Sequence, residues 1–277
     1  MSATAAAAPL PRARARTRVR IGQWILPVYT GLAVAYLFIP IAVMIAFGFN
    51  DPRGRFNFTW QGFTFQNYAE LFAVPGLGDA LITSLVVALV STIAATVLGT
   101  LIALALTRHT FGGRGPLNVL IFLPIATPEV VLGASLLALF VSMGVSRDMT
   151  TIIVAHIMFD ISYVVITVRA RIAGFDRRLE EAAMDLGANE WTTFRKVTLP
   201  LIFPGILAAA LLAFALSIDD FVITLFVSGR TSTFPLWVYG ASRIGIPPQV
   251  NVMGTLIFAV GIVIAVISAR RNIRAAR

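Results

Sequence analysis

Residues Leu201–Ser228 read LIFPGILAAALLAFALSIDDFVITLFVS, an apolar run interrupted only by Asp219 and Asp220. A helix needs about 20 mostly apolar residues to cross the hydrocarbon core of a bilayer, so this stretch is long enough to span. Five further runs of the same kind lie at Trp24–Phe49, Leu81–Leu106, Leu117–Met143, Thr150–Val168 and Val252–Ala269. The pattern predicts an all-α, polytopic membrane protein with six transmembrane helices. Composition agrees: 58% of the 277 residues are hydrophobic and 13% charged, with mean hydropathy +0.86. A soluble domain carries about a quarter charged residues. The chain has no cysteine, which excludes disulfide frameworks and cysteine-ligated zinc. No region shows the alternating segments of ~10 residues that a porin-type barrel requires.

The basic residues set the expected topology. Of the 22 lysines and arginines, all but Arg53, Arg55, Arg147, Arg230 and Arg243 fall on one side of the six runs. They occupy the amino-terminal arm, the loop between runs 2 and 3, the loop between runs 4 and 5, and the carboxy-terminal tail. Positive residues stay cytoplasmic, so both termini are expected inside. The net charge of +9 then reflects topology, and no nucleic-acid partner is needed to explain it. Arginines followed by an apolar run also describe a signal peptide. This run is too long and no A-x-A site follows, so it reads as an uncleaved first span behind a disordered basic arm at 1–23. The six-span body is expected at 24–269 and a basic tail at 270–277.

Three segments depart from plain helices joined by short turns. External residues 50–80 carry Phe56, Phe58, Trp60, Phe63, Phe65, Tyr68 and Phe72. They read equally as an interfacial aromatic belt or as anchors for an external partner. Cytoplasmic residues 169–200 hold both charge signs. Asp176 is placed to cap a short helix with Glu180 and Glu181 in its first turns, and Gly187 to end it in a left-handed conformation. Asn189 is placed to cap a second short helix, with Arg195 and Lys196 in its last turn and Pro200 stopping it. An ordered loop of this kind suits docking; a solvated charged loop is the plainer alternative. External residues 229–250, with Pro235, Trp237, Tyr239, Pro247 and Pro248, read as a surface or partly re-entrant segment.

Four acids lie inside the apolar runs: Glu129, Asp160, Asp219 and Asp220. A charge near the bilayer centre costs about 2.5–3.5 kcal/mol on insertion scales, and no lysine or arginine shares those runs. The acids should therefore face an aqueous cavity, a cation, or one another. Asp219 and Asp220 point roughly 100° apart on a continuous helix, so either the helix breaks there or the second acid serves another element. Pro124 and Pro128 free backbone carbonyls near Glu129. Asp160 has His156 one turn earlier, so local pairing is the plain alternative there. An acidic path without arginine favours a cationic solute. The one lysine, Lys196, has no glycine-rich approach, so the chain lacks a Walker A loop. Neither a nucleophile constellation nor a metal cluster is present in the sequence, and the chain is not expected to be an enzyme.

At the 169–200 loop the chain resembles a known family. Glu181-Ala182-Ala183, Gly187, and Val197-Thr198-Leu199-Pro200 match the E-A-A-x3-G-x9-I-x-L-P signature of binding-protein-dependent ABC importer permeases, with valine for isoleucine at 197. The similarity extends from Trp24 to Ala269 and is strongest to polyamine (spermidine/putrescine) permeases. It is carried by Trp60-Gln61-Gly62-Phe63, Thr127-Pro128-Glu129-Val130-Val131, Glu180 through Ala188, and Ser217-Ile218-Asp219-Asp220-Phe221-Val222. The resemblance implies the type I ABC importer permease fold in a bacterial inner (cytoplasmic) membrane. It also implies coupling to a separate ATPase through Glu180, Glu181, Ala182, Ala183, Gly187, Leu199 and Pro200. Trp60, Glu129, Ser217, Asp219 and Asp220 are the implied substrate-pathway residues, and Asp160, read from its place inside an apolar run and not from the resemblance, is a further candidate. The implied partners are a second permease subunit, two ATPase subunits that bind ATP and Mg, a periplasmic substrate-binding protein and a polyamine-like cation. No cofactor is expected in this chain. Asp160 departs from the family, which has a small uncharged residue there; the extra acid suits a more highly charged cation or a pairing with His156. An opine, amino-acid or ferric-ion cargo on the same architecture, and an ATP-independent cation channel or carrier, are the alternative readings.

Overall fold

The computed structural model describes residues 22–174 and 176–275. The basic arm expected at 1–23 therefore falls outside the described residues up to position 21. So does the end of the tail at 276–277.

Twelve helices follow one another among the described residues: α1 Gly22–Phe47, α2 Gln66–Ala69, α3 Leu77–Arg108, α4 Arg114–Ala126, α5 Glu129–Ser142, α6 Met149–Ala173, α7 Arg178–Asp185, α8 Glu190–Thr193, α9 Leu199–Asp219, α10 Val222–Val227, α11 Phe234–Ser242 and α12 Pro248–Ala275. A π-helical turn, Phe194–Thr198, joins α8 to α9.

The six apolar runs all become helix, but not as six continuous spans. Trp24–Phe47, Leu77–Arg108, Met149–Ala173 and Glu190–Asp219 are each long and apolar enough to cross a membrane unbroken. The run expected as one helix over Leu117–Met143 is instead α4 and α5, bent by 111° at Thr127–Pro128. Pro128 offers no N–H to the preceding turn, and it forces Thr127 to extended backbone. The sixth run lies in α12, whose apolar part covers Pro248–Ile264.

Helices α3, α6 and α9 pack most extensively on one another. In a bilayer, lipid tails are as apolar as leucine, so helices associate by close approach rather than by hydrophobic burial. The buried stripe of α3 is accordingly small: Ser84, Ala88, Ser91, Ala95, Gly99 and Ala103 recur every three or four residues. Val164, Val165 and Val168 of α6 and Ala209 and Ala213 of α9 fill the same core. A second core joins Val87 of α3, Leu132 and Leu136 of α5, Ile152 and Phe159 of α6, and Ile223 and Val227 of α10. Helix α1 packs mainly on α12 and is exposed from Trp24 through Pro40.

Segment 50–80 is ordered by two buried asparagines. The Asn50 side-chain amide donates to Asn57 Oδ1 and the Thr59 carbonyl, at 2.6 and 2.8 Å, and its Oδ1 accepts from Gln61 N at 2.7 Å. Asn67 donates to the carbonyls of Gly48 and Asn50. The aromatic side chains are thereby held on a fixed backbone: Phe49 stacks on Phe63, and Trp60 meets Phe47 edge-on.

A Cβ built on Gly99 would lie 2.6 and 2.8 Å from Val164 Cγ1 and Cβ. Gly99→Val should therefore push α3 off α6 and destabilise the protein by about 1–3 kcal/mol. Thermal unfolding of the purified protein in detergent should show the lower midpoint, and an unchanged midpoint would contradict this packing.

Candidate functional site

The polar groups inside the helical body converge where α9 ends. Asp219 is its last residue, and Asp220 is extended (φ −62°, ψ 121°). The break takes the two carboxylates to different environments. Asp219 is exposed and lines a cavity of about 620 Å³ between the end of α9, α11 and α12. Asp220 turns inward and caps α10: Oδ2 accepts from Thr224 N at 2.8 Å and from the Thr224 hydroxyl at 2.7 Å. His156 Nε2 lies 3.3 Å from that same oxygen.

The hydrogen bonds assign the roles within this cluster. The Thr224 hydroxyl donates to Asp220, so its oxygen accepts from His156 Nε2–H at 3.0 Å. Nδ1 of His156 meets Ser217 Oγ at 2.6 Å, and Ser217 Oγ meets Ser91 Oγ at 3.0 Å. The chain of hydroxyls thus ties α3, α6, α9 and α10 together inside the bilayer-spanning body. His156 is the member that sequence reading assigned elsewhere: it partners Asp220 and Ser217 rather than Asp160. Asp160 is fully buried, and neither of its oxygens has a hydrogen-bond partner among the described residues. The local Asp160–His156 pairing expected from spacing is absent because the imidazole is already used on both nitrogens.

The remaining sequence-named residues are dispersed. Glu129 is exposed as the first residue of α5, just past the 111° bend. Ser217 is buried within the hydroxyl chain, so it has no open face to a cavity. Trp60 lies in segment 50–80, half exposed and apart from the acids.

The loop 169–200 forms a compact second locus. Asp176 Oδ1 accepts from Arg178 N at 3.0 Å, opening α7. Gly187 closes it with φ +87°, and the bonds Ala188 N to Ala183 O and Gly187 N to Met184 O complete a Schellman motif. Asn189 Oδ1 accepts from Thr192 N at 2.8 Å and opens α8. Pro200 does not stop this helix. The chain runs on as helix from Glu190 to Asp219, with Arg195 and Lys196 inside the π turn rather than in a final turn. Leu199 N donates to Phe194 O, five residues back. That wider turn accommodates a proline, which removes one backbone donor and crowds the preceding carbonyl.

Glu180 and Glu181 separate sharply. Glu180 is buried and accepts from the Arg108 guanidinium at the end of α3 and from the Thr198 hydroxyl at the end of the π turn. It fixes α7 against two membrane helices. Glu181 and Ala182 are exposed and Ala183 half-buried. The surface beside them carries Leu186 and Trp191, 90% and 68% exposed, together with Leu179. Sequence reading did not single these out, although Leu179, Ala182, Ala183 and Leu186 fall at helical spacing and mark an apolar stripe.

Residues 95–277 match the family described as binding-protein-dependent transport system inner membrane components. The chain is 37% identical over 235 residues to the spermidine/putrescine transport system permease protein PotC of Haemophilus influenzae, covering 84% of this chain and 91% of that one. It is 38% identical over 241 residues to the putrescine transport system permease protein PotI of Escherichia coli K12, covering 84% and 85%. Among solved structures, a bacterial ABC transporter involved in import of the acidic polysaccharide alginate aligns with TM-score 0.67 at 17% identity, covering 92% of this chain and 97% of that one. The MetNI methionine ABC transporter aligns with TM-score 0.57 at 18% identity, covering 73% and 96%. These two likenesses establish the fold.

Replacing Asp220 with alanine strips the cap from α10 and leaves His156 and Thr224 short of a partner, a loss of about 1–3 kcal/mol. Asp219→Ala, on an exposed carboxylate, should stay within about 0.5 kcal/mol. Thermal melts of the two variants in detergent compare them directly; equal losses would refute the division of roles. In the same assay Glu180→Ala should lower the midpoint and Glu181→Ala should not.

Proposed function

The chain belongs to the family of binding-protein-dependent transport system inner membrane components, and from that premise we propose that it forms one half of the translocation pathway for a polyamine. It is a multi-pass inner-membrane permease and not the ATP-hydrolysing subunit. The cargo assignment rests on one observation above all: the carboxylate of Asp219 lines a cavity whose other lining residues include no lysine or arginine. Glu129, exposed at the bend between α4 and α5, adds a second acid. The names of the relatives from Haemophilus influenzae and Escherichia coli support a spermidine- or putrescine-like cation. Asp220 and Ser217 contribute indirectly, by fixing the break that points Asp219 outward.

The working assembly pairs this chain with a second permease, two ATPase subunits and a periplasmic binding protein. Both termini and loop 169–200 lie on the cytoplasmic side, and segments 50–80 and 229–250 on the other, following the arginine distribution. ATP-driven closure of the ATPase pair acts on the exposed face of α7 and α8 at Glu181, Ala182, Leu186 and Trp191. Glu180 transmits that displacement to α3 through Arg108, and the π turn transmits it to α9 through Thr198. Alternating access then delivers the cation from the binding protein past Asp219 and Glu129. Such a site must hold its cargo weakly enough to release it.

ATP-driven uptake of spermidine by the reconstituted complex tests this reading. Glu181→Ala and Gly187→Val should reduce uptake more than tenfold while the complex still assembles; valine cannot adopt φ +87° without strain. Asp219→Asn should lower polyamine uptake with normal membrane levels. Uptake of an amino acid but no polyamine would overturn the cargo, and flux through this chain without ATP would overturn the coupling.

A further inference from the structure

The cavity that Asp219 lines is walled by Phe221, Phe234, Tyr239 and Phe258. The rings of Phe221 and Tyr239 lie 4.8 Å apart, tilted by 48°, and form one aromatic surface beside the carboxylate. That surface already carries a cation. The guanidinium carbon of Arg243 sits 4.7 Å from the Tyr239 ring centroid, and Arg243 also donates a hydrogen bond to the Tyr239 hydroxyl. Arg243 is exposed and follows Tyr239 by four residues at the end of α11. Among the described residues it makes no ion pair with a carboxylate.

A ring that attracts a guanidinium through its quadrupole attracts an alkylammonium by the same electrostatics. Ile218, Val238 and Ile257 supply aliphatic wall beside Ser242 and suit the methylene segments on either side of an ammonium group. We propose that Asp219, Phe221 and Tyr239 form an ammonium subsite, and that Arg243 is its resident competitor, leaving the Tyr239 ring when an alkylammonium enters. The inference rests on the polyamine reading above and adds a mechanism of release. The arginine is tethered four residues away, so it returns to the ring and lowers the net affinity of the subsite for cargo. A transport site must stay weak enough to release its cargo, and a tethered competitor lowers its affinity in that direction.

The test is saturable binding of spermidine to the assembled complex in phosphatidylcholine nanodiscs with the binding protein omitted, beside spermidine uptake by the complete system. Tyr239→Leu removes the ring and should weaken binding on the order of tenfold. Tyr239→Phe keeps the ring and loses only the hydroxyl that holds Arg243, so it should bind as well as the unmodified complex or better. Arg243→Gln should tighten binding severalfold. Normal binding by Tyr239→Leu, equal weakening by Tyr239→Phe, weaker binding by Arg243→Gln, or no saturable binding to the unmodified complex would each overturn the subsite. If the unmodified system takes up no polyamine, the cargo reading falls and the subsite with it. Normal uptake together with unaltered Tyr239→Leu binding removes the subsite alone.

Discussion

The carboxylate of Asp220 is the interaction on which the central architecture depends. A charged carboxylate within an apolar span is costly unless hydrogen bonds and opposite charge compensate it. Here it accepts from the amide and hydroxyl of Thr224 and faces the imidazole of His156. These bonds form where α9 ends at Asp219 and α10 starts three residues later, at Val222. The break carries α10 onto α5, where a Cβ on Gly133 would lie 2.6 Å from the Phe226 ring. It also leaves Asp219 in open space. An exposed acid and a satisfied buried acid thus arise from neighbouring positions.

Glu180 has a comparable role at the opposite end of the same helices. Its carboxylate joins the last turn of α3 to the π turn that leads into α9. The two helices it grips also meet at Ser91 and Ser217, deeper in the body. Helix α7 is thereby joined to the region around Asp219 along both α3 and α9. Arg171, which donates to the Leu201 carbonyl and packs where a Cβ on Gly205 would stand, ties α6 to the same base. A network of packed helices and hydrogen bonds is the physical means by which a remote event can bias a site.

Much of this was legible from residue order. Hydropathy marks every long helix because a spanning segment must satisfy its backbone internally and present apolar side chains to lipid. Gly187, Asp176 and Asn189 mark the ends of the short loop helices because capping is a local matter, settled within four or five residues. The positions of intramembrane acids are equally plain, since each interrupts an apolar run. Three features escaped this reading. The 111° bend at Thr127–Pro128 lies inside what reads as one continuous run, because a proline signals interruption without specifying the angle. Pro200 looked like a stop, because a single π turn that lets a helix pass through proline has no sequence signature. Asp160 and His156 looked like a pair, because i and i+4 spacing says nothing of what a neighbouring helix offers.

The chain's order of residues by itself determined that this is a helical membrane protein, where its apolar runs and the caps of its loop helices fall, and which acids lie within those runs. Those properties follow from local chemistry acting over one helix or one turn. Only the tertiary structure decided which acid is open and which is used internally, that Glu180 rather than Glu181 braces the loop, and that Tyr239 and Phe221 stand beside Asp219. Each of those depends on contacts between residues tens of positions apart. Their geometry is set by how closely small side chains such as Gly99 allow the helices to approach.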